Sequence, residues 1–198
     1  MLKIYLLNVS DVDFSRLLKS HYFSSLERLS FDKYKVIKVR QEKICSSYLK
    51  NKYIGEYHLN EFGKPISDNV YFNISHSHGY VALVIDQVPV GLDIEKIGPV
   101  TDNLKSYVSN DEEESYIKDD ATFFEVWTNK EALVKASGEG FRYRPESVPG
   151  LPLNNKRLFN GKEYHNRTIR YQDLVITVSR QDEKDFTFDV IKEAIQYE

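Results

Sequence analysis

Four residues carry the clearest chemical signal in the sequence: Glu131, Lys135, Asp93 and Glu95. Glu131 and Lys135 lie within FFEVWTNKEALVKASGEG, residues 123 to 140, and residues four apart on a helix can meet. At about 100° per residue, Phe123, Trp127, Val134 and Gly138 share one arc, with Phe124 at its border. Glu131 projects between Trp127 and Phe124. A carboxylate beside an apolar stripe is costly to desolvate unless something cationic compensates it. One explanation is a structural Glu131–Lys135 pair at the edge of the core. The other is a carboxylate facing a divalent cation, with a lysine facing an anion. The second needs further carboxylates, and VGLDIEKI, residues 90 to 97, supplies them. Side chains alternate along a strand, so Val88, Val90, Leu92 and Ile94 fall on one face, and Gly91, Asp93 and Glu95 on the other. The two carboxylates then project the same way, roughly 6.5–7 Å apart at Cα. A plain polar strand face would give the same pattern. Three carboxylates around a hard cation is magnesium chemistry, with phosphate oxygens and waters completing the shell.

A third group is Gly63-Lys64-Pro65, followed by Ser75-His76-Ser77-His78. Glycine beside lysine permits close backbone approach to a ligand with a cation at hand for phosphate. His76 is placed to hydrogen-bond a phosphate. His76 and His78 could share a metal, but no third histidine or cysteine lies nearby, so His78 reads as a solvated turn residue.

The elements that must position these groups follow from pattern and breakers. Residues 2–8 read as a strand. Residues 12–52 have helical spacing, with Arg28, Lys33, Lys38, Arg40 and Lys43 mostly on a solvated face. Residues 53–69 are loop-like, broken by Gly55, Gly63 and Pro65. Three strands follow, near 70–75, 80–85 and 88–95, with a turn at Asp86-Gln87. Gly98, Pro99 and Asp102 mark a junction between halves 1–100 and 101–198. A short helix lies near 102–108, and Ser109 with Glu112 fits a capping box for a second. The helix bearing Glu131 spans about 120–137 and ends at Gly138 and Gly140. The tail YQDLVITVSRQDEKDFTFDVI reads as a hairpin with its tip near 181–185. The fold class is α+β, with helices and a hairpin in each half.

The composition, 41% hydrophobic and 29% charged over 198 residues, is globular, and a net charge of −3 argues against a general nucleic-acid binder. The single cysteine, Cys45, rules out an internal disulfide and any multi-cysteine metal site. Its flanks, KICSSY, offer no activating histidine, so a buried or incidental thiol is expected. The apolar run of MLKIYLLNVSDVDF is too short for a membrane span or a signal-peptide core, which makes a cytoplasmic protein with no membrane partner the expectation.

The segments FGKPISDNVYFNISHS, VGLDIEKI and FFEVWTNKEALVKASGEG, in this order and spacing, resemble the 4′-phosphopantetheinyl transferases, in particular the longer monomeric surfactin-synthetase-activating type. They cover the central third of the chain; residues 1–60 and 141–198 match in general layout alone. The resemblance implies two similar α+β halves related by a pseudo-twofold axis. Each would have a small antiparallel sheet packed by helices, with coenzyme A in the cleft between them. It implies transfer of the 4′-phosphopantetheine arm from coenzyme A to a serine of an acyl or peptidyl carrier protein, releasing 3′,5′-ADP. By the same resemblance Asp93, Glu95 and Glu131 would hold Mg²⁺, and Glu131 would deprotonate the serine. Lys135 would lie against the leaving phosphate. Lys64, Pro65, Ser75 and His76 would grip the nucleotide end with its 3′-phosphate, and Lys130 would have a supporting role. Arginines that many members carry are thin in RQEKICSSYLKNKYI, where Asn51 stands near one such place; Lys43 and Arg28 are the substitutes. Lys105, Lys118 and the 102–118 helices are candidates for docking an acidic carrier. A two-half chain can supply one site alone, which implies a monomer. Two other readings stay open: a Mg²⁺-dependent phosphohydrolase or nuclease, and a non-catalytic module that binds coenzyme A or a carrier.

Overall fold

The computed structural model describes residues 1–61, 64–140, 142–182 and 184–197. Gly63 lies outside them. The chain opens with β1 (Leu2–Asn8), then α1 (Phe14–Leu17), α2 (Ser25–Phe31) and α3 (Ile37–Tyr53). The continuous helical spacing over 12–52 is thus cut into three. Asp13 caps α1 by accepting from the Ser15 and Arg16 amides, and Ser24 with Glu27 forms a full capping box on α2. The loop-like stretch after α3 contains a two-residue ladder, β2 (His58–Leu59) with β3 (Pro65–Ile66). Then come β4 (Tyr71–Ser77), β5 (Tyr80–Asp86) and β6 (Val90–Lys96), the three strands expected there.

Beyond them lie α4 (Asp102–Val108), α5 (Asp111–Tyr116), α6 (Asp120–Ser137), β7 (Lys156–Phe159), β8 (Lys162–Tyr171), β9 (Leu174–Arg180) and β10 (Phe188–Lys192). The capping box of α5 is Asn110 with Glu113, one residue beyond the expected Ser109 and Glu112, because Ser109 still closes α4. The expected C-terminal hairpin is also corrected. β9 pairs with β8 through a tight turn at Gln172 and Asp173, where Gln172 has φ 58°, and β10 leaves for the other sheet.

The fold is α+β, with two four-stranded sheets in the orders β10-β1-β5-β4 and β6-β9-β8-β7. All strand pairs are antiparallel except β1 with β10. Period-two alternation gives each strand two jobs. Ile4, Leu6, Ala82 and Val84 of the first sheet pack against Leu92, Ile94, Ile176 and Val178 of the second. Leu7, Val81 and Leu83 face the other way, onto Ile44, Cys45, Tyr48 and Leu49 of α3. Cys45 is fully buried, as expected, and burial pushes its thiol up to about 12.

The chain crosses between sheets twice. β6 follows β5 closely in sequence yet joins the second sheet, and β10 returns to pair with β1. Glu193, just past β10, fixes this return. Its buried carboxylate accepts from Tyr48 Oη (2.9 Å), Lys52 Nζ (2.6 Å) and Tyr53 Oη (2.7 Å) on α3.

The sheets meet where β4 runs beside β6. These strands belong to different sheets, and side chains take the place of a backbone ladder. Asn73 Oδ1 accepts from Leu92 N (2.9 Å), Ser75 Oγ from Ile94 N (3.3 Å) and Ser77 Oγ from Lys96 N (3.3 Å). Three alternate residues of β4 thus satisfy three alternate amides of β6. Asn73→Ala strands a buried amide at Leu92, which costs about 1–3 kcal/mol. The expected result is a lower urea midpoint with an unchanged denaturant slope; an unaltered midpoint would mean the seam contributes nothing to stability.

Candidate active site

The site is built where α6 lies on β6. Asp119 caps the helix through the Thr122 amide (2.8 Å), and Gly138, at φ 77°, ends it, matching the expected span. Leu133 and Val134 anchor it on Val148, Phe159 and Tyr164. The strand face turned to the helix is the Gly91, Asp93, Glu95 face. Gly91 permits the contact: a Cβ there would stand 2.0 Å from the Ala132 carbonyl oxygen and 2.4 Å from the Ala136 amide nitrogen. Strand and helix backbones therefore touch, which sets the carboxylates of β6 beside those of α6.

Lys135 Nζ donates to Asp93 Oδ1 at 2.6 Å and to Ser75 Oγ at 3.3 Å, and Ser75 Oγ donates to Asp93 Oδ1 at 2.9 Å. Asp93 Oδ2 is buried and has no hydrogen-bond partner among the described residues. Glu95 accepts from Ser77 Oγ at 2.5 Å and is hydrogen-bonded by the Trp127 side chain. Burial raises the Glu95 carboxyl above its ordinary range, and the Asp93 charge adds to this. Glu131 is 8% exposed, and among the described residues no hydrogen bond or ion pair reaches its carboxyl group. Burial, then the charges of Asp93 and Glu95, pushes it up to about 7 against the pull of Lys135. Burial works to lower the Lys135 ammonium, but Asp93 and Glu131 outweigh it and hold the group above the usual lysine range. Three carboxylates thus share one electrostatic neighbourhood with one ammonium.

Lys64 Nζ donates to the Lys135 carbonyl at 2.6 Å, near the end of α6. Burial, and then the Lys135 charge, brings it down to about 8. His76 is depressed by burial and by Lys43, and Lys135 and Asp93 also act on it. Asp93, Glu95, Glu131, Lys135, Ser75, Lys64, His76 and Lys43 therefore belong to one region. Pro65 adjoins Lys64 in the β2–β3 ladder, paired with Leu59. Arg28 is not part of this group: its guanidinium donates to the carbonyls of Leu18 (2.7 Å) and Ser20 (2.8 Å). Asn51 is similarly engaged, by Tyr22 and Glu27. Lys130 points away from Glu131, as its wheel position requires. It forms a buried ion pair with Glu113 (2.6 Å) that ties α6 to α5.

Sequence reading missed the roles of Ser77 and Trp127 as partners of Glu95. The alternation Asn73, Ser75, Ser77 on a strand was the available signal. It also missed Glu42, whose Oε2 lies 3.3 Å from His76 Nδ1. Nothing local in the sequence connects those two residues.

Among the described residues, no three His, Cys, Asp or Glu groups are so placed that they could hold a metal ion as they stand. The donor chemistry nonetheless fits a hard divalent cation: an unpartnered buried Asp93 oxygen, an unbonded Glu131 and a local excess of negative charge.

A sequence profile of the 4′-phosphopantetheinyl transferase superfamily matches residues 89–188, about half of the chain. That stretch takes in β6, α6 and β7–β9. The chain belongs to this superfamily. It is 33% identical over 132 residues to the 4′-phosphopantetheinyl transferase gsp of Aneurinibacillus migulanus, covering 62% of this chain and 51% of that protein. It is 36% identical over 90 residues to the 4′-phosphopantetheinyl transferase psf-1 of Bacillus pumilus, covering 41% and 39%. It is 35% identical over 106 residues to the 4′-phosphopantetheinyl transferase Sfp of Bacillus subtilis (strain 168), covering 49% and 47%. The chain thus spans about half the length of the curated relatives it matches, or somewhat less.

Proposed function

We propose that the protein transfers the 4′-phosphopantetheine arm of coenzyme A to a serine hydroxyl of an acyl or peptidyl carrier protein, with Mg²⁺ as cofactor. The observation that carries this reading is Glu131: a buried, unbonded carboxyl group beside two further carboxylates and a lysine, in a chain of this superfamily. In the reaction a bond forms between the serine oxygen and the β-phosphorus of the pyrophosphate. The bond from that phosphorus to the bridging oxygen breaks, and 3′,5′-ADP leaves. Serine is a weak nucleophile at neutral pH, so its proton must be taken by a positioned base. Glu131, with a pKa near 7, is matched to that task. Lys135, held cationic, faces the charge that develops on the leaving phosphate. Ser75 and Ser77 hold Asp93 and Glu95 in place. Lys64 and His76 lie at the same region and supply contacts for the nucleotide end.

Asp93, Glu95 and Glu131 would hold the magnesium ion, which when bound neutralises and orients the pyrophosphate oxygens. No helix among the described residues is long and apolar enough to cross a membrane. The carrier docks near α4, where Leu104 and Tyr107 are exposed.

The test is intact-protein mass spectrometry of a panel of apo carriers incubated with coenzyme A, Mg²⁺ and the protein. The expected result is a gain of about 340 Da, the transferred arm, on at least one carrier. The gain should vanish when EDTA replaces Mg²⁺. Phosphate release with no carrier present would instead favour a hydrolase.

A further inference from the structure

Glu42, on α3, reaches across to the β4–β5 turn. Its Oε1 accepts from Gly79 N at 2.9 Å and its Oε2 lies 3.3 Å from His76 Nδ1, with the side chain 14% exposed. The turn is shaped by His78 at φ 47° and Gly79 at φ 84°. A turn amide and an imidazole side by side offer an anion two donors. Here the chain's own carboxylate takes that place. The imidazole stands at the edge of the active site, since Lys43, Lys135 and Asp93 all act on it.

We propose that Glu42 is a specificity-determining residue: it holds the donors on which a 3′-phosphate would be gripped, so the protein accepts coenzyme A and its 3′-dephospho form with similar efficiency. The inference rests on the transferase reading above, in which His76 faces the nucleotide end. A 3′-phosphate at His76 either shares the imidazole with Glu42 or displaces the carboxylate from Gly79 N and His76. Sharing brings two anions within a few ångströms, which costs about tenfold in affinity. Displacement forfeits the hydrogen bond from Gly79 N and the close contact with His76 that the free protein has already made. Lys43 and Lys64 offset part of either cost, so 3′-phosphate binding is weakened rather than abolished.

Calorimetry with 3′,5′-ADP and with 5′-AMP tests the idea on the protein alone. The wild type is expected to bind the two within about threefold of each other. Glu42→Gln keeps an oxygen acceptor for Gly79 N but removes the charge, and should shift the affinity ratio about tenfold toward 3′,5′-ADP. The ratio of kcat/KM for coenzyme A over 3′-dephospho-coenzyme A should shift likewise, through KM. A role for Glu42 confined to pinning the turn would leave both ratios where they are, and that result overturns the proposal. So does a wild-type preference of a hundredfold or more for 3′,5′-ADP, or failure to bind either nucleotide. If the binding ratios shift as expected but no carrier gains mass from either donor, the transferase reading fails by itself and the assignment of Glu42 stands.

Discussion

Glu131→Gln should abolish transfer while making the metal-free protein harder to unfold at pH 8. The loss of activity follows from removing a base and a cation-holding oxygen together. General-base assistance alone is worth roughly 10²–10⁴-fold, so a fall of about 10³-fold or more is expected. The gain in stability follows from the raised pKa. The group moves from 4.5 to about 7 on folding, so the folded state holds the proton more tightly than the unfolded chain does. As pH climbs from 4.5, the unfolded chain releases this proton first, and the folded state loses stability until about pH 7. A shift of this size is worth about 3 kcal/mol as an upper figure. Glutamine carries no such cost. In EDTA the variant should therefore melt several degrees above wild type at pH 8, with the gap closing toward pH 4.5. Adding Mg²⁺ should raise the wild-type midpoint and leave the variant nearly unmoved. A variant that melts lower than wild type in EDTA at pH 8, or one that still modifies carriers at near the native rate, would show that Glu131 has been given the wrong role.

Gly91→Ala should be the most damaging single-methyl substitution near the site. The added carbon would fall 2.0 Å from one backbone atom of α6 and 2.4 Å from another. Backbone atoms inside a helix cannot step aside as the end of a flexible side chain can, so helix and strand must part. Overpacking a core costs about 1–3 kcal/mol, and this clash belongs at or beyond the top of that range. A fall in Tm of roughly 5–10 °C is expected for a chain of this length. Activity should fall further than stability does. Parting the two elements carries Glu131 and Lys135 away from Asp93 and Glu95, and a misplacement of about 1 Å can cost 10²-fold in rate. Gly98→Ala is the control, because its nearest neighbour would be 4.0 Å away. Equal melting temperatures for the two variants would contradict the close approach of β6 to α6.

The parts of the site that were readable in the sequence are those set by local geometry. Period two put Gly91, Asp93 and Glu95 on one face of β6, and the helical period put Lys135 one turn from Glu131. Gly138 ends the helix by capping chemistry that depends only on adjacent residues, and Asp119 starts it by the same chemistry, a signal the sequence reading passed over. What could not be read depends on which distant elements meet. The run 171–191 has hairpin-like content, yet its last strand pairs with β1. That choice is made by Glu193 binding two tyrosines and a lysine of α3, some 140 residues earlier. Arg28 looked available because charge on a helix is usually solvated; two loop carbonyls claim it instead. Glu42 carried no motif, and its meaning arises from the turn 37 residues later that it touches.

The pairing of β1 with β10 also has a consequence for biosynthesis. While the nascent chain emerges, β1 can find β5 early, but its other side stays an open template until its second partner, Phe188–Lys192, has left the ribosome. An unpaired strand edge of this kind invites association with other chains. Truncation before Phe188 should therefore yield aggregates rather than a smaller folded protein, even though every residue of the candidate site would still be present.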